Sequence, residues 1–294
     1  MRQTSLPPLP LRAEDLFGRV LARERFAELA SLPEPEIDLF EGALCIAREE
    51  YPAMDARAYH LRIQDMVKAV RRRLPAAATP RRILETLNEY LYAEESFRGD
   101  RETYYDPRNS FLNEVIDRHK GIPITLSVLY LVLGRQLGLP LHGINFPGHF
   151  LIAYRDADHD LLIDAYEEGR TLTLAECEAR VKTAQGPRAS LHHRMLIPTG
   201  PRQMLYRILN NLKGIYLRTD EPGRALSCAE RMLLLVPDSP IDQRDRGMLL
   251  MHFDFPLLAQ RDLEAYLLAK PSPDDAGAVF ERLKQLNRRN RLAS

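Results

Sequence analysis

Between Tyr104 and Gly169 the chain sets out the parts of an acyl-transfer site. A helix is expected to open just after Gly121-Ile122-Pro123 and to stop at Gly138-Leu139-Pro140. Two short apolar strands follow, one carrying His149 and the next ending at Asp164. A helix N-terminus carries partial positive charge and unpaired N–H groups, so it stabilises an anionic nucleophile and a developing oxyanion. A histidine on a neighbouring strand can take the proton, and a carboxylate on the next strand fixes its tautomer and orientation. His149 is therefore the candidate base and Asp164 its orienting carboxylate. For a nucleophile the helix offers two hydroxyls, Thr125 and Ser127. Successive helix residues turn by about 100°, so Thr125 faces away from position 123 while Ser127 returns close to it one turn deeper. Each residue also has a plainer role open to it. Thr125 suits a first helical turn, Ser127 a packing site, His149 a structural place before a strand, and Asp164 the start of a turn.

The segments NSFLNEVIDRHKGIPITLSVLYLVLGRQLGLPLHGINFPGHFLI and LLIDAY resemble the transglutaminase-like domain of the bacterial SirB family, whose members carry tetratricopeptide-like repeats behind it. The likeness runs from about Pro35 to Leu286. Gly121, Arg135, Gly138 and Pro140 align without gaps with a transglutaminase pattern that starts Gly-x-Cys and ends Gly-Ile-Pro. On that alignment Pro123 stands where the cysteine would be, His149 on the catalytic histidine and Asp164 on the aspartate. SirB relatives usually follow the aspartate with Pro-Phe; here it is Ala165-Tyr166. The resemblance implies a catalytic scaffold without its thiol. Proline suits the first turn of a helix, but it also removes an N–H that an oxyanion hole could use.

Composition narrows the partners. Lysine plus arginine equals aspartate plus glutamate at 41 each, which gives no reason to expect nucleic acid as the main ligand. The runs Arg71-Arg72-Arg73 and Arg288-Arg289-Asn290-Arg291 read as solvated helix faces or ends. Cys45, Cys177 and Cys228 lie in helical patterns without metal-ligand spacing, and His192-His193 point in different directions, so no metal and no cofactor are expected. The first residues lack the charged-then-apolar order of a signal peptide. The most apolar run, Ile124 to Leu139, spans roughly 24 Å against a hydrocarbon core of roughly 30 Å. A cytoplasmic chain with no membrane partner is the expectation.

The elements that must position the site follow from periodicity. Residues 1–13 read as a loose Pro-rich arm. Helices are expected over 14–30 and 37–48, from an Asp55 cap to Leu74, from Pro80 to Ala93, and over SFLNEVIDRHK. Short strands are expected in LHGINF, HFLIAY and LLIDAY, with a further one near Arg170 to Leu174 and a helix after it. Lys182 to Ser190 is a polar break. Behind it, Leu217, Asp220, Pro222, Ala225, Glu230, Leu233 and Pro237 match Met251, Asp254, Pro256, Ala259, Glu264, Leu267 and Pro271 at a 34-residue offset, the tetratricopeptide period. The expected class is α+β. A papain- or transglutaminase-like domain over 14–185, with helices around a small antiparallel sheet, precedes an α-helical tetratricopeptide-like region over 190–294.

Three functions fit this reading. The first is a non-catalytic regulatory or adaptor module holding a protein or peptide. The second is a hydrolase or acyltransferase using His149 and Asp164 with a non-cysteine nucleophile or an activated water. The third is an assembly subunit whose cleft is filled by its own side chains.

Overall fold

In the computed structural model, residues 13–156, 159–269 and 273–293 are described. The expected arm over 1–13 therefore lies, apart from Ala13, outside the described residues. Polar side chains start the early helices by taking up their free N–H groups. After α1 (Ala13–Ser31), Asp38 caps α2 (Leu39–Glu50), Asp55 caps α3 (Ala56–Arg73) and Thr79 caps α4 (Pro80–Asn88). The helix expected to continue to Ala93 instead widens into a π turn over Glu89–Glu94. There Glu95 N–H reaches back to the Tyr90 carbonyl at 2.9 Å, and Tyr90, Leu91 and Phe97 are all buried.

Strand β1 (Arg98–Gly99) pairs in parallel with β2 (Lys120–Gly121). Between them lie a 3-10 turn, Pro107–Ser110, capped by Asp106, and α5 (Leu112–Arg118). Helix α6 (Pro123–Gln136) opens with the proline in its first turn and buries nearly its whole surface. Beyond it come β3 (Leu141–Ile144), β4 (Leu151–Arg155), β5 (Asp160–Asp164) and β6 (Arg170–Leu172). Next are α7 (Leu174–Gln185) and β7 (Pro198–Thr199), a short strand that the residue pattern did not suggest. The sheet order is β6-β5-β4-β3-β7, with every neighbour antiparallel. One face carries Ile152, Tyr154 and Ile163 against α6. The other carries Leu151, Ala153 and Leu162 against Cys177 and Val181 of α7.

One expected strand is shorter than the residue pattern suggests. His149 is not on a strand but two residues before β4. The Pro147-Gly148 bend consumes the preceding residues: Gly148 has a φ of +67°, a left-handed conformation glycine adopts readily, and His149 N–H bonds the Phe146 carbonyl at 3.1 Å.

The C-terminal region is helical: α8 (Pro201–Arg218), α9 (Pro222–Leu235), α10 (Pro240–His252), α11 (Pro256–Leu268) and α12 (Pro273–Ala293). The 34-residue offset has structural content. Asp220 and Asp254 both adopt left-handed φ values, 57° and 61°, at the ends of first helices. Pro222 and Pro256 both begin second helices, and Ala225 and Ala259 are both fully buried. Pro271 lies outside the described residues. The core does not stop at the polar break: one apolar cluster runs from Phe26 through α6 and α8 to Cys228, Met232 and Leu249. A separate cluster joins Leu250, Leu263 and Tyr266 to Val279, Leu283 and Leu286 of α12. An α+β unit followed by helices that repeat at a 34-residue offset is thus the architecture.

Candidate functional site

Asp164 is the last residue of β5, and the register that pairs Ile152 with Ile163 sets it on the sheet face covered by α7. His149 folds over that same edge from the bend before β4. Its Nε2 lies 2.9 Å from each carboxylate oxygen of Asp164. The carboxylate is fully buried and further held by Arg180 of α7 at 2.8 Å and by the backbone N–H groups of Tyr166 and Glu167 at 3.0 and 3.3 Å. Burial alone would raise its pKa. The His149 hydrogen bond and charge, the Arg180 guanidinium and the Glu167 N–H outweigh that and hold it below the ordinary carboxylate range. With Nε2 committed to Asp164, Nδ1 is the ring nitrogen left to meet a ligand.

The start of α6 is wired differently. Pro123 is buried and supplies neither a thiol nor an N–H. The Thr125 hydroxyl is fully buried, donates to the Asn109 carbonyl at 2.7 Å and accepts the Ile122 N–H at 3.2 Å, which fixes the first turn. Ser127 is also fully buried, and its hydroxyl has no hydrogen-bond partner among the described residues. Asn109 in turn donates to Asp100 at 3.2 Å and to the Thr103 carbonyl at 2.8 Å, and receives Arg118 at 3.2 Å. Burial works against ionisation of Asp100, yet bonds from Thr103 and Asn109 and the charge of Lys120 lower it to about 2. These groups hold the turn that delivers α6.

Tyr166, one of the two residues that depart from the family pattern, occupies the ground between the two parts. Gly121 pairs with Gly99, and Gly99 lies so close to the Tyr166 ring that an added Cβ would sit 2.4 Å from it. The Tyr166 hydroxyl donates to the Asp100 carbonyl at 3.0 Å, and its ring stands edge-on to His149 with centroids 5.9 Å apart.

Two cations at this site were not singled out from the residue pattern. Arg180 follows buried Cys177 by three positions on α7, a spacing that puts it on the buried helix face. Arg207 on α8 donates to Asn145 Oδ1 at 2.6 Å and to the His149 carbonyl at 3.4 Å. None of the thiols stands at the start of α6: Cys45 is on α2, Cys177 on α7 and Cys228 on α9, all buried. Burial pushes Cys45 up to about 12 and Cys228 up to about 11, and raises Cys177 as well. Among the described residues no cluster of three or more His, Cys, Asp or Glu is arranged to hold a metal, and no helix is long and apolar enough to cross a membrane.

Known proteins share this layout. Residues 57–210 match the transglutaminase-like superfamily and residues 212–284 match the tetratricopeptide repeat. A UPF0162 protein of Xylella fastidiosa is 36% identical over 88% of this chain and 93% of its own length. UPF0162 protein PA3419 of Pseudomonas aeruginosa is 31% identical over 89% of this chain and 96% of its own. F-box only protein 21 of Mus musculus is 41% identical over 104 residues, which make up 33% of this chain and 17% of that protein. The chain belongs to the transglutaminase-like superfamily and, within it, to the UPF0162 proteins.

Proposed function

We propose that this UPF0162 chain is a non-catalytic transglutaminase-like protein that binds a protein or peptide as a regulatory or adaptor module. The observation that carries the reading is the start of α6. The position aligned with a nucleophile is a proline at the first helical turn, and the two nearby hydroxyls, Thr125 and Ser127, are fully buried. A hydroxyl needs an aligned base to act near neutral pH. Thr125 instead spends its hydrogen bonds on the Asn109 carbonyl and the Ile122 N–H. Tetratricopeptide helices behind the site offer surface to peptides and helices. A place in the SirB family, on the GIPITLS and FPGHFL segments, and a cytoplasmic location extend the same proposal.

A second reading, a hydrolase or acyltransferase working through an activated water, is favoured by one feature. The His149–Asp164 pair is formed and oriented, with Asp164 held below the ordinary carboxylate range and no hydrogen bond to Nδ1 among the described residues. Turnover of a panel of ester, amide and isopeptide substrates, compared between the wild-type chain and His149→Ala, separates the two. The non-catalytic reading expects identical background rates. A rate above background that disappears in His149→Ala establishes the hydrolase instead.

A further inference from the structure

Arg207 is a half-buried cation with no acid to neutralise it. It projects from α8 beside buried Met204 and Ile208, and both its bonds go to neutral acceptors, Asn145 Oδ1 and the His149 carbonyl. Among the described residues no carboxylate forms an ion pair with it. Burial lowers its pKa, and only the nearby Tyr104 hydroxyl offsets that. A half-buried guanidinium without a counter-charge is already partly stripped of water, so an anion that reaches it meets a partner prepared for it.

The surroundings describe that anion. One turn further along α8, a groove of about 270 Å³ opens between the helix and the Tyr104–Tyr105 loop, lined by Asn210, Asn211, Gly214 and Arg218. Arg218 lies over the Tyr105 ring at 4.3 Å and has no ion pair among the described residues. Lys213, the remaining cation there, is already spent on Asp242 and Asp245. A row of rings joins the groove to the candidate base: Tyr105 to Tyr104 at 5.2 Å, Tyr104 to Tyr166 at 6.4 Å, Tyr166 to His149 at 5.9 Å. Arg218 in the groove, Arg207 one turn before it, flat aromatic faces and two side-chain amides suit an extended peptide with carboxylate side chains. The chain's opposite charges balance at 41 each, which gives no reason to expect nucleic acid as the anion.

We propose that the groove between the Tyr104–Tyr105 loop and α8, extended by the helical turn before it, binds an acidic peptide segment, with one aspartate or glutamate carboxylate on Arg207 and a second near Arg218. This rests on the peptide-binding reading above and adds the chemical class of the peptide. The test is selection of a random twelve-residue phage-displayed library on the full chain, followed by fluorescence polarisation with synthetic copies of the enriched peptides. Enriched sequences should contain Asp or Glu. Binding should weaken about tenfold when that residue is changed to its amide, and about tenfold in Arg207→Gln. Because Arg207 also steadies the 145–149 bend, Arg218→Gln serves as a second variant at an exposed site. It should weaken binding with no change in thermal midpoint. Enriched peptides without acidic residues, indifferent to both arginine variants, overturn the acidic-peptide assignment and leave peptide binding standing. A library that yields no binder overturns both.

Discussion

Asp164 and Asp242 are both fully buried carboxylates, and comparing them separates a site from a strut. Asp242, on α10, takes Lys213 Nζ at 3.1 Å, the Tyr206 hydroxyl at 2.7 Å and the Ser239 hydroxyl at 2.6 Å. Lys213, 6% exposed, also bonds Asp245 at 2.7 Å, and Asp245 is paired in turn with Arg244, so each charge of the network that nears the surface is already matched. Asp164 is as well satisfied, yet its partners lead outward: the His149 side chain is 15% exposed and that of Arg180 28%. Each carboxylate is met by a cation and further donors at similar distances. What differs is whether a partner has an edge left over for something else.

The largest effect should come from breaking the Lys213–Asp242 pair. Lys213→Met leaves Asp242 buried with hydroxyls alone and should cost about 3–5 kcal/mol in urea denaturation. A loss below about 1 kcal/mol would mean the two carboxylates are not distinct in kind. Asp164→Asn should cost less, about 1–3 kcal/mol, because Arg180 can turn to water. Acidification gives a smaller and graded effect. The folded-state pKa of Asp164 is depressed, so its stabilisation is complete above the ordinary value of about 4 and is lost as pH falls through the lower folded value. Stability measured from pH 7 down to pH 3 should therefore fall less steeply in Asp164→Asn than in the wild type. The smallest effect concerns Pro123→Cys. A thiol there lies at a helix N-terminus, but Tyr166 stands on the side toward His149. Adding His149→Ala should shift its alkylation pKa by less than about half a unit, and stability should change by about 1 kcal/mol or less. A larger shift would show that His149 reaches the helix start after all.

Much of the fold could be read before any coordinates, because its signals are local. Asp55 bonds an N–H group just after it, and Pro80 and Pro123 stand at helix starts where no N–H is required. The His149–Asp164 pair was legible because strand pairing brings a residue before β4 beside the end of β5. The π turn at Glu89–Glu94 was not, since its wider hydrogen bonds leave little trace in periodicity. Arg180 and Arg207 were missed for another reason. Each reaches the site from a separate helix, and the helical spacing that buries them reads equally well as an amphipathic edge. Tyr166 was visible as a departure from the family pattern, but its place between Gly99 and His149 depends on β1 pairing with β2.

The continuous core has a consequence for how the chain is made. The apolar surfaces of α1 and α2 share one cluster with α8 and α9. During synthesis these early helices leave the ribosome long before their covering partners exist. Until residues near Leu235 emerge, Phe26, Leu44 and Ile46 have only the intervening chain to shield them. Such long sequence separation slows folding and leaves apolar surface open to wrong partners meanwhile. Truncations that remove α8 and α9 should therefore yield aggregates, so a smaller piece ending at the polar break is a poor choice for expression.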